Sequence, residues 1–287
     1  MNEKSKKPVE KSIREAFDLT RRVAIITGGA GLLGCKHGEA VAEMGGIPIL
    51  IDVDKIKVES VAEGIKKKYN SETFGWIGDV TSQKEIQGLK TRILEKFGRI
   101  DILINNAANN PSMSIKGASK EQWSRLEKFP LDLWEKDIAV GLTGAFLCSQ
   151  IFGSEMARMK CGVILNIGSD LGMIGPDQRV YQKEGLSPDE QPVKPVTYSV
   201  TKAGLIGLTR YIATYWADKG VRANLIAPGG VYTNQDPIFV EKISKLIPLG
   251  RMAHQDEYKS AIAFLVSDAS SYMNGAILSV DGGRTSW

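Results

Sequence analysis

Two apolar runs, each ending in a turn with its own chemistry, constrain this chain more than any other feature. The first, Val23-Ala24-Ile25-Ile26, leads into Thr27-Gly28-Gly29-Ala30-Gly31-Leu32-Leu33-Gly34 and then an amphipathic stretch to Met44. That order is strand, glycine turn, helix. Glycines permit a tight turn and close backbone approach, and the N-terminus of the following helix offers unpaired N–H groups and partial positive charge to a pyrophosphate. The second run, Ile47-Pro48-Ile49-Leu50-Ile51, ends in Asp52, whose carboxylate can accept hydrogen bonds from both hydroxyls of an adenosine ribose. Together they make a dinucleotide fingerprint. An acid at this place repels a 2′-phosphate, and Val53, Asp54 and Lys55 bring no arginine after it, so NAD is expected over NADP. Lys55 and Lys57 are the nearby cations.

Strand and helix patterns keep alternating beyond this unit, with strands expected at Phe74 to Gly78, Ile102 to Ile104, Gly162 to Ile167, Val221 to Ile226 and Ile277 to Val280. Such alternation predicts an α/β fold: a single-domain, Rossmann-like, doubly wound parallel sheet of about seven strands with helices on both faces. At 287 residues and 43% hydrophobic content the chain can bury a full core and lies within reach of one large domain. Residues 1–20 read as a charged extension and 21–287 as the catalytic domain.

Farther on, Tyr198-Ser199-Val200-Thr201-Lys202 places a phenol and an ammonium four residues apart on a helical pattern. Positions i and i+4 share a helix face. A nearby cation favours the phenolate and can bring the tyrosine proton within reach of neutral-pH chemistry. Such a pair can pass a proton to or from a hydroxyl or carbonyl.

With the turn, the acid and the Tyr/Lys pair in this order, the chain resembles the short-chain dehydrogenase/reductase family from about Arg22 to Arg284. Further motifs agree. Asp79-Val80 is similar to the family's adenine-contacting pair, Asn105-Asn106-Ala107-Ala108 to its Asn-Asn-Ala-Gly turn, and Asp281-Gly282-Gly283 to its usual ending. The resemblance implies a catalytic set of Ser169, Tyr198 and Lys202, with Ser169 holding the reacting oxygen, Tyr198 moving the proton and Lys202 holding the nicotinamide ribose. It also implies cofactor contacts from Gly28, Gly31, Leu33, Gly34, Asp52, Val53, Asp79, Val80, Asn106, Ala107, Ala108, Tyr198 and Lys202. Pro228, Gly229, Val231 and Thr233 complete that set as the loop flanking the nicotinamide carboxamide. The implied activity is NAD(H)-dependent interconversion of a secondary alcohol and a ketone.

Three departures qualify the match. Glycines at 28, 31 and 34 follow the spacing of the family's extended, nucleotide-sugar-modifying branch, whereas the classical branch has glycine where Leu32 stands; the chain's length and remaining motifs fit the classical architecture. Gly141 occupies the place of a catalytic-site asparagine, so a proton relay through that position is expected in altered form. Finally, Ser169 and Tyr198 stand 29 residues apart, far more than the family's usual interval, which predicts a lid-like insertion at residues 174–196. Arg179 and Lys183 within it are candidate substrate contacts, since guanidinium and ammonium groups pair with phosphate or carboxylate. Such an insertion is similar to that of short-chain enzymes linked to flagellin glycosylation and surface-polysaccharide biosynthesis, which implies a sugar, sugar phosphate or nucleotide sugar as substrate.

Two other readings stay open: an epimerase or dehydratase using NAD internally, suggested by the glycine spacing and by Asp170 beside Ser169, and a non-catalytic NAD-binding sensor or scaffold, suggested by Gly141. The net charge of +4 is modest and its excess sits on Lys4, Lys6, Lys7 and Lys11, a solvated tail and not the basic face that nucleic acid requires. Neither a signal peptide nor a membrane span is expected, which points to the cytoplasm. Cys35, Cys148 and Cys161 lack Cys-x-x-Cys spacing and read as reduced thiols. With only His37 and His254, no metal site is expected. The family likeness implies a homodimer or homotetramer, with Trp287 at the C-terminus either at a subunit contact or frayed.

Overall fold

The computed structural model describes residues 11–109 and 123–287. Its centre is one parallel sheet of seven strands, β1 (Val23–Thr27), β2 (Ile47–Asp52), β3 (Phe74–Ile77), β4 (Ile102–Asn105), β5 (Gly162–Ile167), β6 (Val221–Pro228) and β7 (Ile277–Val280). The spatial order is β3-β2-β1-β4-β5-β6-β7. In β1 every residue is buried, and alternate side chains feed opposite layers: Ala24 and Ile26 join one core cluster, Val23 and Ile25 the other. A strand covered on both faces needs this unbroken apolar run, which is why it was legible.

The first layer holds α2 (Leu32–Glu43), α3 (Lys55–Tyr69) and α9 (Lys259–Val266). Opposite lie α4 (Gln83–Phe97), α6 (Gly144–Met159) and α7 (Val196–Tyr215). Caps set several boundaries: Asp54 accepts from Lys57 N at the start of α3, Ser82 from Glu85 N at the start of α4, and the left-handed Asn70 and Gly98 end those helices. Side-chain caps and left-handed C-caps satisfy backbone groups that a helix end leaves over.

The expected extension is partly structure. A short helix α1 (Ile13–Phe17) opens on a capping box between Ser12 and Glu15, Lys11 Nζ lies 2.6 Å from Asp268 Oδ2, and Leu19 is fully buried in the core. The domain therefore begins before residue 21. Lys4, Lys6 and Lys7 lie outside the described residues.

One helical run also departs from expectation. α5 (Leu131–Ile138), a π turn over Ala139–Thr143 and α6 join into 29 residues long and apolar enough to cross a bilayer. Its apolarity has a local cause, since Cys148, Ile151, Phe152 and Met156 pack into the core beneath the sheet.

The insertion is folded onto the body. Within it Val180 is buried with Ile243, Ile247 and Met252, and the Tyr181 ring lies 5.6 Å from that of Phe239 on α8 (Pro237–Ser244). Within it Gln191 closes a smaller loop, accepting from Lys183 N at 2.8 Å and donating to Leu186 O at 2.8 Å. The apolar contacts anchor Val180 and Tyr181 to the body, while residues 182–190 are exposed.

Candidate active site

The chain reverses its direction of sheet growth between β1 and β4, and in open α/β sheets ligands bind in the crevice beyond the strand ends at such a switch point. A cavity of about 1410 Å³ lies there. Its lining includes Gly28, Gly31, Leu33, Asp52, Val53, Asp79, Val80, Asn106, Ala107 and Ala108, then Ser169, Tyr198 and Lys202, then Pro228, Gly229, Val231 and Thr233. Residues scattered over two hundred positions meet because each follows the C-terminal end of a strand or begins the next helix.

Gly34, also expected at the cofactor, is not in that lining. A Cβ there would stand 2.1 Å from Gly28 O, so this glycine lets α2 pack against the turn and acts on the cavity only through it. Gly28 itself has φ +61, a left-handed conformation that disfavours a side chain. Asn106 fastens the turn to β4, donating through Nδ2 to Thr27 O at 3.0 Å and Gly28 O at 3.1 Å. Leu32, the position at which the resemblance leads one to expect glycine, opens α2 and lines the cavity.

These features fit a dinucleotide. Gly31 caps α2 without any side-chain hydrogen bond, so the first-turn N–H groups are open to an anion. At the far end, Asp52 Oδ2 accepts from Ala30 N at 3.0 Å and Oδ1 from Asp54 N at 3.2 Å, which fixes the carboxylate at the cavity wall. Lys55 and Lys57 do not line it.

The chemical end is built on β5 and α7. A buried chain of amides, Asn105 Nδ2 to Asn166 Oδ1 at 2.8 Å and Asn166 Nδ2 to Thr209 Oγ1 at 2.8 Å, locks β4, β5 and α7 together. Asn105 Oδ1 is left without a partner among the described residues, so the network holds through its amide N–H groups. Ser169 lies two residues past the end of β5, while Tyr198 and Lys202 lie one turn apart on α7, and Lys202 Nζ donates to Ile167 O at 2.7 Å. The three expected residues thus converge.

Their electrostatics differ from expectation. Burial raises the Tyr198 phenol above its ordinary value, against a lowering by its hydrogen bond with Ser169. Lys202 does not overcome this. Its ammonium is committed to Ile167 O, lies 6.0 Å from the Tyr198 ring centroid, and is itself lowered to about 8 by burial and by the charge of Lys194.

Lys194 went unnoticed in the sequence. It stands four residues before Tyr198, just ahead of α7, with Nζ 3.8 Å from the ring centroid, and burial lowers it to about 8. Its only sequence signal is that spacing, interrupted by Pro195.

Arg284 was also missed. Gly282 and Gly283 both have positive φ and turn the chain inward, and Asp281 accepts from Gly283 N and Thr285 N at 2.9 and 3.0 Å. The turn delivers Arg284 to the cavity with Nε 3.0 Å from Asp170 Oδ2. An arginine directly after a glycine pair was the available clue. Asp170 in turn accepts from Ser169 Oγ at 2.8 Å and Leu171 N at 2.8 Å, so it is a tied anchor and not the free acid that a dehydratase reading wants.

Of the two candidate substrate contacts, Lys183 lines the cavity and Arg179 does not. Arg179 pairs with Asp177, Nη2 to Oδ2 at 2.7 Å, with its side chain 81% exposed. A carboxylate two residues away satisfies it locally, which sequence spacing alone did not reveal.

Gly141 is the buried centre of the π turn. A Cβ on it would stand 2.5 Å from Thr201 Cγ2, so the neighbour of Lys202 fills the space an asparagine would need. Beside it, Gly141, Asp137, Thr201 and Lys202 line a small pocket of about 10 Å³, near the lower limit for one water. Asp137 Oδ1 and Thr201 Oγ1 are buried there without partners among the described residues.

Comparison with known proteins agrees with this geometry. Residues 22–182 match the family model for short chain dehydrogenase, and residues 190–285 match a companion model described as enoyl-(acyl carrier protein) reductase. The gap between the two falls inside the insertion. D-threitol dehydrogenase of Mycolicibacterium smegmatis is 31% identical, over 96% of this chain and 97% of that protein. Galactitol 2-dehydrogenase of Rhizobium johnstonii is 31% identical over 96% of this chain and 100% of its own length. Among solved structures, a gluconate 5-dehydrogenase from Burkholderia cenocepacia in complex with NADP and tartrate superposes with a TM-score of 0.82 at 27% identity, covering 96% of this chain and 100% of that one. With strand order, glycine turn, the convergence of Ser169, Tyr198 and Lys202 and these matches in agreement, the chain belongs to the short-chain dehydrogenase/reductase family, as an NAD(P)-dependent oxidoreductase acting on CH–OH groups.

Proposed function

We propose that the protein is an NAD-dependent dehydrogenase that oxidises a secondary alcohol of a polyhydroxylated, sugar-like substrate to the ketone. The observation that carries this reading is one continuous cavity with Asp52 at one end and Ser169, Tyr198 and Lys202 together at the other. A bound nicotinamide cofactor supplies the hydride acceptor. Ser169 and Tyr198 hold the substrate oxygen, and Tyr198 Oη takes the hydroxyl proton as it passes its own proton on to the relay through the cofactor ribose. Lys202, fixed by Ile167 O, keeps its remaining N–H groups for the cofactor ribose and the proton path. Positioned proton transfer contributes about 10²- to 10⁴-fold in rate, and alignment of the reacting atoms contributes much of the rest.

NAD is favoured over NADP because Asp52 and Asp79 are the charges lining the adenosine end, where a 2′-phosphate would meet a carboxylate. The insertion serves as the lid-like wall of the substrate end. A sugar or polyol substrate is supported by the named activities of the threitol and galactitol relatives. Homodimer or homotetramer formation is supported by the exposed Phe146, Val200, Tyr211 and Tyr215 on α6 and α7, and a cytoplasmic setting by three unpaired thiols. The test is absorbance of reduced nicotinamide during a screen of polyols, sugars, sugar acids and sugar phosphates with NAD and NADP. Reduction of NAD by at least one polyhydroxylated alcohol is expected; reduction of neither cofactor by any of them would end the reading.

A further inference from the structure

The guanidinium of Arg284 is an unusual group to bury beside a site for neutral alcohols. Its side chain is only 5% exposed, yet it lines the cavity, and Nη1 has no hydrogen-bond partner among the described residues. Leaving a buried charged donor unpaired is costly unless something else pairs it. Nε lies 3.0 Å from Asp170 Oδ2 without the alignment of a hydrogen bond, Asp170 Oδ1 is shared between Ser169 Oγ and Leu171 N, and neither oxygen pairs Nη1. The other carboxylates near this end are exposed or engaged, Asp236 accepting from Ile238 N and Phe239 N. Cations dominate here: Lys183, Lys194, Lys202 and Lys242 line the same end as Arg284.

On the reading of the site as an alcohol dehydrogenase, we propose that its substrate is a polyhydroxy acid, with Arg284 receiving the carboxylate while Ser169 and Tyr198 hold the reacting hydroxyl. A guanidinium offers five donors in a planar fork, so it can meet a second carboxylate at the cavity wall, a small turn of the side chain freeing the enclosed Nη1, while Asp170 stays beside Nε. One carboxylate separates Arg284 from the Ser169 hydroxyl. The recognised anion therefore lies only a few bonds from the carbon that is oxidised.

The experiment compares four- to six-carbon aldonates (~C4–C6, a span the cavity admits) with alditols of the same length and stereochemistry, reading kcat/KM for each pair. The wild type is expected to favour an acid over its alditol by about ten- to a hundredfold, the worth of a charge-assisted hydrogen bond. The double variant Arg284→Met with Asp170→Asn removes the guanidinium without leaving a bare carboxylate. It should bring the acid-to-alditol ratio close to one, a readout that a general loss of Ser169 positioning does not move. Arg284→Lys, which keeps the charge and loses the fork, should lower the same ratio severalfold, and it serves if the double variant fails to fold. A wild type that prefers the alditol, or a ratio unmoved in the folded variants, overturns the proposal and leaves the dehydrogenase reading standing. Turnover of no member of any pair removes the proposal, and the wider screen then decides the dehydrogenase reading separately.

Discussion

Replacing Gly141 by alanine tests whether the missing asparagine reflects a steric fact of this fold. The added Cβ would stand 2.5 Å from Thr201 Cγ2, whereas the next nearest atoms, Thr201 Cβ and Oγ1, are at 3.7 and 3.8 Å, ordinary contact distances. A single methyl group carries the whole conflict. Overpacking of this kind costs about 1–3 kcal/mol, against about 1 kcal/mol gained when alanine replaces glycine in a helix. Gly141→Ala should therefore destabilise the wild-type background by up to about 2 kcal/mol. In a Thr201→Ser background the methyl is gone and the same change should stabilise, by about 0.5–1 kcal/mol. The sign reverses. Scanning calorimetry of cofactor-free protein at fixed concentration, on the four members of the cycle, measures it directly. If Gly141→Ala shifts the midpoint in the same direction in both backgrounds, the steric account of this position is wrong.

Three other outcomes are expected. Tyr198→Phe should lower kcat by about 10²-fold or more while fluorescence titration shows cofactor binding nearly unchanged; substantial turnover would remove the phenol from the mechanism. Because burial lowers Lys202 to about 8 from an ordinary 10.5, the unfolded chain binds more protons there between those values, so stability rises with pH across that window. Lys202→Met should flatten that rise, and an unchanged slope in pH-dependent denaturation would show that the ammonium is not desolvated. Asp52→Ser should weaken NAD and tolerate NADP better, lowering the NAD-to-NADP ratio of kcat/KM by about tenfold, the worth of one charge-assisted hydrogen bond. An unaltered ratio would place cofactor choice elsewhere.

Much of this protein is legible one residue at a time. Strands buried on both faces must be apolar throughout, so β1, β2 and β5 declare themselves, and residues at the ends of successive strands in a doubly wound sheet are brought to one crevice by the fold class itself. That is why the sequence alone places the glycine turn, Asp52, Ser169 and the Tyr198/Lys202 pair together. The sequence also located the insertion, since its length is a count along the chain.

What a side chain meets across the fold is another matter. Arg179 and Arg284 are the same residue type, and each is followed by no distinctive pattern. Only the folded chain shows that one is satisfied at the surface by Asp177 and the other is turned inward beside Asp170. The same holds for the protonation of the site. Proximity of an ammonium argued for an acidic phenol, but desolvation acts on both groups, and it outweighs their attraction in the protein alone. Spacing along a helix fixes which groups share a face; the enclosure that determines their charge comes from packing by segments far away in sequence.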